Sequence, residues 1–288
     1  MVFSLQHGAL AITPLSAPHC RLLGKPGQTI DVIETGSGPP VILVHSSVSG
    51  ARQWNKLMID LAPEFHLIAV NLIGYGETTP YTHERPQSLQ DQSDLIEEVA
   101  ASIDGPLKLI GHSLGGSVAI KAASNLGDRI EKLILIEPNP FNLLRDYDRP
   151  AAFAEIFELC ISIKQHVSAG NWSQAAEEFA DYWGGEGTWE ASPDHRRDVF
   201  LEGLKTNFHE WDAVINERFS LATLDKKLPK RTLVIYDPQT KRPIREVVDL
   251  LRGATSWTFH EINDVGHMAP LTHPAIINPV IEQFLSKA

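Results

Sequence analysis

Short continuous apolar runs recur along the chain, separated by longer stretches in which apolar positions return every three or four residues. Runs of the first kind suit strands buried on both faces, and the periodic stretches suit helices laid across them. The strand-like segments are 30–34, 41–45, 66–72, 107–111, 132–137, 232–236 and 257–262, and 21–23 offers an eighth. Helical patterns occupy 53–61, 89–103, 114–125, 244–251 and 274–286. Strand and helix taken in turn predict an α/β fold: a mostly parallel sheet of about eight strands flanked by helices.

The alternation lapses between 141 and 228. No strand pattern occurs there, but helical ones do, at 152–167, 172–183, 195–207 and 213–218. This stretch reads as a helical cap inserted after the sixth strand, so that 1–140 and 229–288 make the core and 141–228 the cap. Trp172, Trp183, Trp189 and Trp211, four of the six tryptophans, fall in it. They could roof an apolar substrate pocket or pack the cap against the core, the better expectation for most of them.

Composition narrows the picture. With 288 residues and 43% apolar content the chain can bury a core as one large domain, with or without an insertion. The net charge of -11 is scattered, and the one basic cluster, at 225–231, reads as a solvated lead-in to the next strand. That argues against a nucleic-acid partner. No apolar stretch approaches the roughly 18 residues needed to cross a bilayer, and Met1 to Gly8 show neither a basic nor a continuous apolar signal region. A soluble, cytoplasmic protein is the expectation; oligomeric state is left open. Cys20 and Cys160 have no ligand-like spacing, so no disulfide framework, zinc site or other metal site is indicated, and Cys160 is expected in a helix core.

The chemistry concentrates where the apolar run 107–110 meets Gly111-His112-Ser113-Leu114-Gly115 and then a helix of small residues. A serine on so tight a strand-to-helix turn is held in a strained conformation with its hydroxyl projecting above the sheet, and glycines on either side let neighbouring backbone approach. Ser113 is therefore the candidate nucleophile; a helix N-cap serine is the alternative. The arrangement resembles the α/β-hydrolase family, and the resemblance covers nearly the whole chain.

That resemblance implies the remaining parts. Of twelve histidines, His267 follows the last strand and precedes the final helix, where the family places its general base, and it keeps the chain order serine, acid, histidine. Backbone N–H groups of Leu114 and Ser47 match the oxyanion donors, with Ser46 at a position usually held by glycine. The acid departs from the commoner pattern. Where many relatives carry Gly-x-x-Asp after the cap, this chain has Asp237-Pro238-Gln239-Thr240, and threonine cannot hold an imidazolium by charge. Some relatives draw the acid from the end of the preceding strand, and Glu137 stands there. Glu137 is the preferred orienting acid, Asp237 the alternative, and Asp264 a weaker one that would brace the histidine loop. Asn71 to Glu77 matches a structural turn after the fourth strand, with Tyr75 near the pocket rim. Ser46, His112, Trp183 and Met268 are expected on the pocket wall.

The implied activity is cofactor-free serine hydrolysis of a carboxylic ester or lactone on a small, largely hydrophobic molecule. Alternatives on the same scaffold are a carbon–carbon bond hydrolase, a perhydrolase, a hydroxynitrile lyase and a non-catalytic ligand receptor.

Overall fold

The computed structural model describes residues 18–287, so the reading of Met1 to Gly8 lies outside the described residues. Eight strands, β1 (His19–Leu23), β2 (Ile30–Thr35), β3 (Pro40–Val44), β4 (His66–Val70), β5 (Leu107–His112), β6 (Ile130–Ile136), β7 (Thr232–Tyr236) and β8 (Thr258–Glu261), form one sheet. Their order is β1-β2-β4-β3-β5-β6-β7-β8. The pairs β1 with β2 and β2 with β4 are antiparallel and every other pair is parallel, as the unbroken apolar runs predict.

Successive residues of each strand point to opposite faces, so each run feeds two apolar layers. Ile42, Val44, Leu109, Leu133, Leu135 and Val234 pack beneath α2 (Leu89–Ala101), α3 (Leu114–Leu126) and α10 (Arg242–Ala254). Val41, Leu43, Ile110, Ile134, Leu233 and Ile235 meet α1 (Asn55–Leu61) and α12 (Pro274–Ser286) on the other side. The start of α2 is set by a reciprocal pair: the Ser88 side chain accepts from the Asp91 N–H while the Asp91 carboxylate accepts from the Ser88 N–H.

Six helices separate β6 from β7: α4 (Asn142–Asp146), α5 (Pro150–Ser168), α6 (Trp172–Gly184), α7 (Thr188–Ala191), α8 (Asp194–Asn216) and α9 (Leu221–Lys227). Their apolar faces continue the first layer through Ile156, Ile163, Phe179, Leu204 and Trp211. The two patterns expected at 195–207 and 213–218 are a single helix, because nothing between them breaks it, and Arg218 lies beyond its end. Helices α4, α7 and α9, with α11 (Ala269–Thr272), are too short to show a periodic signature in sequence. Cys160 is buried on α5, as expected, and both cysteines are free. Among the described residues no helix is long and apolar enough to cross a membrane.

The strand order determines where a site can form. Strand β3 has β4 on one side and β5 on the other, so the chain leaves the middle of the sheet in opposite directions. A crevice opens at the carboxyl ends of β3 and β5, where open α/β sheets bind ligands.

Candidate active site

All six residues of β5 are buried, and the chain then turns through Ser113 at φ 54° and ψ -118°. A non-glycine residue in that region is strained and persists only where its surroundings hold it. Here the Ser113 N–H donates to the Ile136 carbonyl at 2.9 Å. A Cβ on Gly111 would stand 2.2 Å from the Gly115 carbonyl oxygen, and one on Gly115 would stand 2.3 Å from that of Val44. Both glycines are thus required by close backbone approach. Ser113 occupies the N-cap of α3 but its side chain makes no cap bond; its Oγ lies 3.0 Å from His267 Nε2 instead.

His267 is brought there by the loop after β8, and its Nδ1 lies 2.6 Å from Glu137 Oε2. Ring and carboxylate are both buried. Glu137 follows β6 at φ 43°, and its carboxylate also accepts from Thr240 Oγ1 at 2.8 Å and from the Asp237 N–H at 2.9 Å. A carboxylate accepting at Nδ1 sets the tautomer: Nδ1 carries the proton and Nε2 is free to accept from Ser113. Thr240, where a carboxylate is the commoner residue, therefore supports Glu137. Asp237 faces away from the imidazole. Its Oδ2 accepts from the N–H groups of Val265 and Gly266, both at 2.8 Å, and its Oδ1 from Gln239 N–H. Asp264, at φ 60°, accepts from the Gln239 side chain and stays at the loop surface.

The loop after β3 supplies the opposite wall. His45 Nε2 accepts from the Leu72 N–H at 3.0 Å, so its proton is on Nδ1, which donates to the Ser46 carbonyl at 2.7 Å. Full burial pushes the His45 pKa down to about 4. Ser46 directs both its N–H and its hydroxyl to Gln53 Oε1, at 3.1 and 2.8 Å. The N–H groups of Ser47 and Leu114 have no protein acceptor among the described residues, and both residues line the cavity above Ser113. Asn71 bridges Ala51 N–H and Asp31, and Tyr75 Oη accepts from Val48 N–H, so that turn buttresses the loop from behind.

The cavity is small, about 30 Å³, room for a few waters at most. Ser46, Trp183 and Met268 lie on its wall as expected. His112 does not: it sits behind Ser113, where its Nε2 donates to the His267 carbonyl at 2.8 Å. Burial and the neighbouring His267 push its pKa well below the ordinary histidine value. Trp183 covers the His267 ring, their centroids 4.3 Å apart and the planes tilted by 31°. Trp211 also reaches the cavity, while Trp172 and Trp189 pack against the core. A second, wider cavity of about 430 Å³ adjoins the first and shares Ser47, Phe179, Trp183 and Met268 with it.

Asn139, Phe179 and Val214 of the wall are absent from the sequence reading, and so are two polar residues of α8, Asn207 and Glu210. The signal was available: both fall on the buried stripe of that helix, with Leu204, Trp211 and Val214, where an apolar residue is the rule. Burial raises the Glu210 pKa to about 7, against opposing contributions from Ser47, Tyr75 and Asn207. Among the described residues no group of three or more His, Cys, Asp or Glu could hold a metal ion.

Comparison with known proteins agrees with this architecture. The chain is 23% identical to a 2-hydroxymuconate semialdehyde hydrolase of Pseudomonas sp. strain CF600 over 91% of this chain and 92% of that one. It is 29% identical to a pimeloyl-[acyl-carrier protein] methyl ester esterase of Nitrosomonas europaea over 39% of its length; that match spans 42% of the esterase. Among solved structures, a hydrolase from Pseudomonas aeruginosa superimposes with a TM-score of 0.74 at 18% identity, covering 94% of this chain and 100% of that one. The naproxen esterase of Bacillus subtilis does so with a TM-score of 0.70 at 14% identity, covering 95% and 93%. The sequence profile of the alpha/beta hydrolase family matches residues 41–280, and the chain belongs to that family.

Proposed function

We propose that the protein is a cofactor-free serine hydrolase that cleaves a carboxylic ester or lactone of a small, largely hydrophobic molecule. The observation that carries this reading is the buried hydrogen-bonded series Ser113, His267, Glu137, at 3.0 and 2.6 Å, ending beside two unengaged amides. Ser113 Oγ adds to the carbonyl carbon as its proton passes to His267 Nε2; the imidazolium is stabilised by Glu137. The carbonyl oxygen becomes an oxyanion received by the Leu114 and Ser47 N–H groups. Collapse breaks the bond to the leaving oxygen, which takes the proton from His267. A water then gives its proton to His267 and adds to the acyl carbon; the bond to Ser113 Oγ breaks, Ser113 takes the proton back from His267, and the acid is released.

We propose further that 141–228 acts as a cap over a core of 1–140 and 229–288. Support comes from the cavity wall, to which α6 and α8 contribute Phe179, Trp183, Asn207, Glu210, Trp211 and Val214. The aromatic lining suits a small molecule rather than a polymer, and two free cysteines suit a reducing, cytoplasmic setting. A carbon–carbon bond hydrolase is the second reading, favoured by the near full-length match to the semialdehyde hydrolase.

Fluorophosphonate labelling with peptide mass spectrometry tests the mechanism without a known substrate. A single adduct on Ser113 is expected, lost in Ser113→Ala and strongly slowed in His267→Ala. Absence of an adduct in the folded protein would sink the serine mechanism. Turnover of a p-nitrophenyl ester series against a ring-cleaved dienoate then separates the two hydrolase readings.

A further inference from the structure

Two acceptor oxygens of the inner cavity's wall residues, Oε1 of Glu210 and Oδ1 of Asn207, have no close hydrogen-bond partner among the described residues, although the Ser47 and Tyr75 hydroxyls stand near enough to the Glu210 carboxyl to favour its charged form. Both residues are buried, at 1% and 2% exposure, and both line the cavity with Ser113 and Ser47. Three apart on α8, they share one face. Asn207 Nδ2 donates to Glu210 Oε2 at 3.2 Å. One N–H of the amide is thus spent on the carboxylate, and its oxygen is left as an acceptor for whatever occupies the cavity.

Among the described residues the Glu210 carboxyl is favoured in its charged form by Ser47, Tyr75 and Asn207 but by no Lys, Arg or His. A buried carboxylate without a cation is costly, and so is each acceptor left unpaired. An ionised Glu210 beside Ser47 would also repel an oxyanion held by that loop. A ligand cation relieves all three. The rest of the wall suits one: Phe179, Trp183 and Trp211 converge there, with Phe179 6.3 Å from each tryptophan, and aromatic faces attract positive charge. A hydroxyl has one hydrogen to give and would leave one oxygen unpaired, whereas an ammonium has three. Of the two basic head groups an ammonium is the more compact, which suits the narrow inner cavity better than a planar guanidinium.

We propose that Glu210, Asn207 and the three aromatic rings bind a protonated primary amine carried by the substrate, so that the preferred ester is a small amino ester, which replaces a wholly apolar acyl group with one that ends in a single cationic head. The word ester rests on the serine hydrolase reading; the amine site does not.

The test separates the two. In Ser113→Ala protein at about pH 8, where Glu210 is ionised, NMR titration compares propylammonium with 1-propanol. The ammonium should bind at least about tenfold more tightly, and adding Glu210→Gln should bring the two to parity. Equal affinity with Glu210 present, or a preference that survives Glu210→Gln, overturns the site. The first comparison needs no change at Glu210, so it decides even if the glutamine variant fails to fold. With Ser113 intact, ethyl 3-aminopropanoate should be turned over faster than ethyl butanoate and ethyl 3-hydroxypropanoate, and Glu210→Gln should erase the advantage. Faster turnover of the hydroxy ester overturns the proposal. Amine binding without turnover of any ester would leave the amine site standing and remove the serine reading instead.

Discussion

Three carboxylates stand within reach of His267 in the sequence, and they are told apart by what their oxygens already hold. Glu137 spends Oε2 on the imidazole and Thr240, and Oε1 on one amide. Asp237 spends both oxygens on backbone N–H groups, two of them in the histidine loop itself. Asp264 serves a surface glutamine. The expected ranking follows. Glu137→Gln keeps the shape but loses the charge that sets the tautomer, and should lower kcat/KM by about 10⁴-fold with little effect on unfolding. Asp237→Asn should cost far less activity but about 1–3 kcal/mol of stability, because buried N–H groups lose an ionised acceptor. Steady-state hydrolysis of an activated ester, with denaturant unfolding of the same proteins, measures both; the reverse ranking would remove Glu137 from the role. The sequence favours Glu137, because threonine fills the commoner acid position, but it keeps Asp237 as an alternative, since both follow strands and loop direction, not chain position, decides which one meets the ring.

Whole elements are better legible than their ends. Strands β3 to β7 and helices α2, α3, α10 and α12 announce themselves through long apolar runs or periodic faces, and Ser113, His267 and Glu137 inherit their placement from strand ends. Glu210 does not: a helical residue's role depends on which neighbour its face meets, and that is tertiary information. The loop after β3 shows the same limit at His45. Its neutral ring holds the loop by accepting from Leu72 and donating to Ser46, yet in sequence it is one histidine of twelve. Protonation removes the acceptor. Since its folded pKa is about 4 against 6.5, the unfolded chain binds the proton first, and stability rises with pH across that interval. The contribution, about 3 kcal/mol, should be complete above pH 6.5 and vanish as pH falls toward 4. Comparing the pH dependence of unfolding for wild type and His45→Gln isolates it, and parallel curves would show that the ring carries no such coupling.

For the molecule as a whole, Glu210 has the opposite sign. Its folded pKa of about 7 lies above the ordinary 4.5, so between those values the native protein holds a proton that the unfolded chain has released. Stability therefore falls as pH rises through this window, by about 3 kcal/mol when complete. Over most of that range His45 and Glu210 pull against each other, so the wild-type profile should look flatter than either group alone would make it. Glutamine mimics the protonated acid, and the difference between Glu210→Gln and wild type should be near zero below pH 4.5 and reach its plateau above about 7, with the variant the more stable. Tyr75, the titratable group beside the carboxyl, stays neutral throughout, because burial and Glu210 raise its pKa well above the ordinary value. A fold that retains a buried carboxylate with only neutral hydrogen-bond donors beside it gives up stability where an isosteric amide would not, as sites shaped for a ligand do. If the ligand is a cation, it should return part of that stability: propylammonium should raise the melting temperature of wild type at about pH 8, where the carboxylate is ionised, and leave Glu210→Gln unmoved. A glutamine variant no more stable than wild type at that pH would mean that the carboxyl finds compensation elsewhere in the fold, and the argument from its isolation would fail with it.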